Sequence, residues 1–256
     1  MKKGKKILST VLTMACMSVM LIGCGTSSDG AAAAGGNTLV MATNAAFPPY
    51  EYVENGEYVG IDVEIAQAIA KELGMELEIK DVEFGSIIAG VESGKFNMGM
   101  AGMTVTEERK QSVNFSNTYA TAVQSVIVPE GSAIATIDDI TSDMKIGVQQ
   151  DTTGDIYASE DYGDAVVRYK NGADAVQALV SGKVDCVIID NEPAKSFVAA
   201  NTGLVILDSA YAEEEYAICI AKDNDELLGQ INDALAKLQA DGTIDAIVAK
   251  YIPTED

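Results

Sequence analysis

The sequence contains no histidine. That excludes Ser-His-Asp and Cys-His catalysis and removes the commonest zinc ligand. It also lacks a CxxC pair and a GxGxxG followed by a partner acid, so neither a redox motif nor a dinucleotide fingerprint is present. An enzyme on this chain would have to move protons with carboxylates, lysine or tyrosine. Basic residues are scarce as well: 17 Lys and Arg stand against 39 Asp and Glu, a formal net charge of −22. Such a surface repels nucleic acid and anionic headgroups, so no nucleic-acid partner is expected. No residue pattern calls for a cofactor or a metal. Cysteine is sparse, and Cys186 and Cys219 both sit inside apolar runs, where free buried thiols are expected.

What is present begins with an address. Lys2, Lys3, Lys5 and Lys6 form a positive n-region, and Ile7 to Leu21 is an apolar run too short and wrongly flanked for a stable membrane span. Leu21-Ile22-Gly23-Cys24 closes it and resembles the bacterial lipobox. That resemblance implies cleavage after residue 23, a diacylglycerol on the Cys24 sulfur, and a protein anchored by lipid on the outer face of a cell membrane. Residues 24–36, rich in Gly, Ala and Ser, read as a flexible tether. Beyond residue 23 the chain is long enough for one large domain or two small ones.

Strand and helix signals then alternate. Asn37–Thr43 reads as a strand and Asn44–Tyr50 as a proline-stiffened loop carrying Phe47. Asn55-Gly56 marks a hairpin turn. Gly60–Gly74 reads as a helix capped by Asp62, with Ile65, Ile69 and Leu73 as its buried stripe. Met75, Leu77 and Ile79 alternate with polar residues as a strand, Ser86–Glu92 is a short helix, and Phe96–Met100 is the next strand. Further strands are expected at Ala122–Val128, Lys145–Val148 and Tyr216–Ala221, with helices at Ala173–Val180, along Leu227 to Leu238, and after Gly242-Thr243. The alternation points to βαβ units in an α/β fold.

Three loops at predicted strand ends carry the chemistry. Ala101–Lys110 holds Gly102, Thr104 and Arg109, with Thr106 expected to cap a helix whose first turn contains Arg109. A helix start beside a guanidinium can hold a carboxylate. A solvated Arg109 paired with a neighbouring glutamate is the other reading. Gln149–Gly154, with Thr152 and Thr153, is a second candidate anion cradle or a plain helix cap. Asp190 precedes a helix with Pro193 in its first turn, as an N-cap or as an anionic ligand group. The segment Ser93–Met100 is echoed by Ser181–Ile188, which suggests two similar lobes. If those lobes face each other, Arg109 and Asp190 meet across a cleft and match the carboxylate and ammonium of a zwitterion.

At this point the chain resembles a family, the solute-binding proteins of amino-acid ABC importers with glutamine-, histidine- and lysine/arginine/ornithine-binding members. Gly60–Leu73, Ala101–Lys110 with Phe115-Ser116, and Gly182–Asp185 with Asp190 carry the resemblance. It implies a two-lobed periplasmic-binding-protein-like fold of type II, with two sheets, a cleft and two crossover strands. Lobe 1 would be 37–118 plus 220–256, lobe 2 would be 124–214, and the hinges would lie near 119–123 and 215–219. By the same resemblance Arg109 clamps the ligand carboxylate, helped by the Thr104 and Thr153 amides. Asp190, the Gly102 carbonyl and the Thr104 hydroxyl hold its ammonium. Phe47 and Phe84 sandwich the side chain, and Asn44 and Gln149 face its far end. The implied protein is a monomer that binds a free amino acid and serves a membrane ABC permease. Asn44 stands where the family often has aspartate, and Gln149 where its glutamine binders carry lysine. The Asn44 context points to a polar amino acid, with a basic one among the candidates. A dehydratase-like enzyme on the same scaffold and a ligand-sensing lipoprotein are the alternatives.

Overall fold

The computed structural model describes residues 37–208 and 210–252. The expected signal segment, Cys24 and the tether lie outside the described residues. The chain opens with β1 (Thr38–Thr43), a short β2 (Ala46–Phe47), and the hairpin β3 (Glu51–Glu54) and β4 (Glu57–Val59). Asn55 and Gly56 both have positive φ, as a tight two-residue hairpin loop demands. Helix α1 (Ile61–Glu72) leads to β5 (Glu76–Asp81), α2 (Ile87–Glu92) and β6 (Met98–Gly99). A single turn, α3 (Arg109–Ser112), and β7 (Val113–Phe115) follow. The chain then crosses along β8 (Ala120–Pro129) to β9 (Ile146–Gln149), α4 (Thr153–Tyr162) and β10 (Val166–Tyr169). Next come α5 (Gly172–Val180), β11 (Cys186–Asp190), α6 (Asn191–Ala200), β12 (Leu204–Ile206) and β13 (Ala212–Tyr216). It returns through β14 (Cys219–Ala221) to the closing helices α7 (Asp225–Ala240) and α8 (Thr243–Tyr251).

Two large sheets result, one per lobe. The first has the order β5-β1-β6-β14-β7 and the second β10-β9-β11-β8-β12, with β13 also paired to β8. β1 lies parallel to β5 and β6, and β9 lies parallel to β10 and β11. Parallel central strands need apolar cover on both faces, and β1 is buried from Leu39 through Thr43. β14 completes the first sheet only after the chain has built the second, so two segments cross between the lobes, β7 to β8 and β13 to β14.

The sequence echo is a structural one. Both α2 and α5 end in a glycine at positive φ, Gly94 and Gly182. Beyond each, the next lysine amide reaches back to close the helix: Lys95 to the Gly90 carbonyl, Lys183 to the Ala178 carbonyl, both at 2.9 Å. β6 and β11 follow in matching positions beside a parallel neighbour. Free Cys186 and Cys219 are buried, as expected.

Several local expectations are corrected. Gly60, not Asp62, is the N-cap of α1, and no side chain caps that helix. Gly60 sits at φ 125°, and a Cβ there would fall 2.2 Å from the Tyr50 carbonyl oxygen. Leu73 is only partly buried because it is already the C-cap. Phe96–Met100 shrinks to two paired residues, and Tyr216–Ala221 is divided between two sheets. Among the described residues no helix is long and apolar enough to cross a membrane.

Gly60→Ala tests that junction. The conformation is open to little but glycine, so the variant should lose at least about 3 kcal/mol, or roughly 6–12 °C in Tm for a chain of this size, read by thermal unfolding.

Candidate functional site

Strands end where side chains are needed. Asn44 follows β1, Gly102 and Thr104 follow β6, Gln149 closes β9, and Asp190 closes β11. Ligand sites in open α/β sheets lie beyond the carboxyl ends of strands, and here two such edges face each other. Between them is a narrow cavity. Asn44, Phe47, Phe84, Gly102, Thr104, Arg109, Gln149, Thr152, Thr153 and Asp190 all line it. The structure thus brings every predicted ligand residue to one place. It adds Glu51 and Ala101, which the sequence reading passed over.

Arg109 is 8% exposed. One guanidinium nitrogen donates to the Thr104 carbonyl at 2.8 Å, and the other donates across the cleft to the Asp151 carbonyl at 3.1 Å. The guanidinium lies 5.2 Å from the centre of the Phe84 ring. It is held by carbonyl dipoles and a ring face, which orient it without neutralising its charge. The expected helix start at Thr106 is corrected: α3 begins only at Arg109 and is one turn long. The Thr106 hydroxyl still accepts the Arg109 amide, at 3.1 Å, so Thr106 fixes the turn rather than a helix dipole. The positive charge of this edge therefore comes from the guanidinium.

The second edge is Thr152, Thr153 and Asp190. Thr152 caps α4 by accepting the Asp155 amide, and Thr153 begins that helix with its hydroxyl 3.4 Å from that of Thr104. Asp151, at φ 64°, adopts the left-handed turn that its position before the cap requires. Asp190 holds the N-cap position of α6, yet its carboxylate makes no capping bond. It accepts the Tyr216 hydroxyl instead. Burial, then the nearby Glu214, pushes the Asp190 carboxyl above the usual carboxylate range. Gln149 donates to Asn44 at 3.0 Å, a further bond from edge to edge.

The floor of the cavity is acidic. Glu51 is 1% exposed. Burial, the nearby Asp62 charge and a hydrogen bond between the two side chains push its carboxyl well up, so a proton on Glu51 serves Asp62. Asp62 accepts the Gly102 amide and the Tyr119 hydroxyl, both at 2.8 Å. Asp62 does not cap α1, because its side chain is turned to the Gly102 loop and the crossover, where Oδ2 accepts both bonds. Gly102 needs its φ of 51° here, and a Cβ would fall 2.9 Å from the Phe47 ring. No spacing rule marks Glu51 in the sequence, because its burial comes from tertiary neighbours alone.

A family model, bacterial extracellular solute-binding proteins, family 3, matches residues 39–254. The arginine-binding extracellular protein ArtP of Bacillus subtilis (strain 168) is 33% identical over 251 residues, covering 96% of this chain and 97% of the relative. The crystal structure of the arginine-, lysine-, histidine-binding protein ArtJ of Geobacillus stearothermophilus superposes with a TM-score of 0.81 at 33% identity, covering 86% of this chain and 96% of that one. An ancestral arginine-binding protein bound to arginine gives 0.80 at 40% identity, covering 85% and 99%.

Buried carboxyls make stability depend on pH. Burial raises Asp62 to about 6 from an ordinary 3.8. A carboxyl whose folded pKa is raised stabilises the fold below its unfolded pKa, and that contribution is lost as pH rises through the folded value. Glu51 and Asp190 shift in the same direction. From pH 8 to pH 5 the fold should gain about 1.4 kcal/mol from Asp62 alone, roughly 3–6 °C in Tm. Asp62→Asn should flatten that rise in a pH series of melting curves.

Proposed function

Because the chain belongs to the bacterial extracellular solute-binding proteins of family 3, we propose that its cavity takes one free polar amino acid, a basic one first, and presents it to an ABC permease. The protein is a solute-binding protein rather than an enzyme. The observation that carries the ligand reading is the charge set of the cavity: the buried Arg109 guanidinium on one side, the buried Asp190 and Glu51 carboxyls on the other.

In this reading Arg109 takes the ligand carboxylate with the Thr104 and Thr153 amides. Asp190, the Gly102 carbonyl and the Thr104 hydroxyl take the ammonium. Phe47 and Phe84 flank the side chain, Thr152 holds the cradle loop in shape, and Asn44 and Gln149 meet the side chain's far end. The excess of buried carboxyls, with Glu51 and Asp190 both in the lining, supports a ligand that brings additional positive charge. Two or three charge-assisted bonds of roughly 1.5–3 kcal/mol each, with apolar burial, reach about −8 kcal/mol, which is micromolar. We assign residues 37–118 and 220–256 to one lobe, 124–214 to the other, and the hinges to 119–123 and 215–219. Cys24 lipidation would hold a monomeric binding protein at the outer membrane face, within reach of its permease.

A panel of the twenty amino acids read by thermal shift tests this directly. A saturating ligand at 100 times Kd adds about 2.7 kcal/mol, so one or a few members, arginine among them, should raise Tm clearly. No shift with any member would falsify the assignment. Arg109→Ala should leave a folded protein whose affinity is at least about 100-fold weaker. Binding should also weaken on acidification, because protonation of Asp190 removes the ammonium's counter-charge; Asp190→Asn should bind weakly at every pH, in calorimetric titrations from pH 8 to 5.

A further inference from the structure

Strand β13 carries a row that neither the sequence motifs nor the cavity lining reveal. Its burial alternates: Glu213 and Glu215 are exposed, while Glu214 and Tyr216 are buried on the same face. Glu214 is 6% exposed and Tyr216 0%. Each touches a different member of the ammonium group. The Thr104 hydroxyl donates to Glu214 Oε2 at 3.0 Å, and Gln124 donates to the same oxygen at 3.1 Å. Two positions on, the Tyr216 hydroxyl donates to Asp190.

The directions of those bonds matter. A threonine hydroxyl has one proton and two lone pairs. With its proton given to Glu214, Thr104 meets any other partner as an acceptor, and the Thr153 hydroxyl at 3.4 Å must be the donor of that contact. An ammonium needs acceptors. Without Glu214, Thr104 would be free to turn its proton toward the ligand. Tyr216 occupies one oxygen of Asp190 and leaves the other for the ligand. It also pairs with Thr104 through an isolated antiparallel bridge, so the row is fixed to both edges of the cavity.

We infer that Glu214 and Tyr216 are positioning residues for ligand recognition: one crossover strand turns Thr104 into an obligate acceptor and aims Asp190, so that the site selects an α-ammonium group. The inference rests on the reading of Thr104 and Asp190 as the ammonium's partners. β13 pairs along β8 from Ala212–Gln124 to Tyr216–Ala120, and Gln124 binds Glu214 from that neighbour. The row therefore sits in the crossover itself, where it meets Thr104 after β6 and Asp190 at the end of β11.

The test is calorimetric titration of the full chain with two probes, L-arginine and 5-guanidinopentanoate, the same molecule without its α-amino group. Glu214→Met, which removes the acceptor at similar volume, should weaken L-arginine by at least about tenfold and leave the weaker 5-guanidinopentanoate within about twofold. In a Thr104→Val background Glu214→Met should add less than about twofold to the loss of L-arginine; in Thr104→Ser, which keeps the hydroxyl, it should act in full. Tyr216→Phe, an independent variant of the same row, should show the same discrimination between the probes. Equal weakening of both probes, or a full additive loss on Thr104→Val, overturns the inference while the amino-acid reading stands. Wild-type protein that binds 5-guanidinopentanoate as tightly as L-arginine overturns the ammonium assignment beneath it.

Discussion

The structure depends on keeping one cation and one anion dry at facing strand ends. Removing a guanidinium or a carboxylate from water costs several kcal/mol each unless the site replaces what water supplied. Arg109 receives two carbonyls and a ring face; Asp190 receives a tyrosine hydroxyl. These partners hold each group in place, but none carries the opposite charge. In the proposed reading a zwitterion supplies both missing charges at once. The protein's contribution is pre-organisation: donors and acceptors are set before the ligand arrives, so less ordering remains to be done on binding.

That arrangement explains the architecture. A parallel strand buried on both faces offers only its end to solvent, so the residues just past β1, β6, β9 and β11 are the ones available to a ligand. Two sheets are needed because one edge cannot enclose a small molecule. The crossing strands then do more than connect. Asp62 in α1 reaches the ligand loop at Gly102 and the crossover at Tyr119, while Glu214 and Tyr216 in β13 reach Thr104 and Asp190. The strands that cross between the sheets are thus bonded to the loops and strand ends that line the cavity.

Elements with strong local signals were legible in the sequence: the Asn55-Gly56 hairpin and the Gly242 cap fall where turn chemistry puts them. Gly102, Thr104, Arg109, Thr152, Thr153 and Asp190 were legible because they follow apolar strands in short motifs, whereas Asn44, Phe84 and the role of Gln149 came only with the family resemblance. Caps were misread where a side chain had a stronger tertiary partner. Asp62 looks like a first-turn cap but binds Gly102 and Tyr119, and Thr106 looks like a helix start but closes a turn onto Arg109. Glu51 and Glu214 were missed for a related reason. A glutamate in a short strand reads as a wet-face residue, and only the packing of a second element shows that these two are buried. Local rules describe what a residue can do for its neighbours in sequence, and both acids act on residues far along the chain.

Those two acids also bear on ligand choice. Glu51, Asp62, Asp190 and Glu214 are all buried around a cavity whose lining cation is Arg109. Some of that acidity is suppressed: burial raises Glu51, Asp62 and Asp190, with repulsion from neighbouring carboxyls adding to Glu51 and Asp190, so the carboxyls share protons rather than all standing ionised. A ligand bringing positive charge changes that balance, since each carboxyl it ionises becomes a stronger acceptor for it. The same excess of acid that would burden an unliganded core is what supports the proposal of a ligand that carries positive charge.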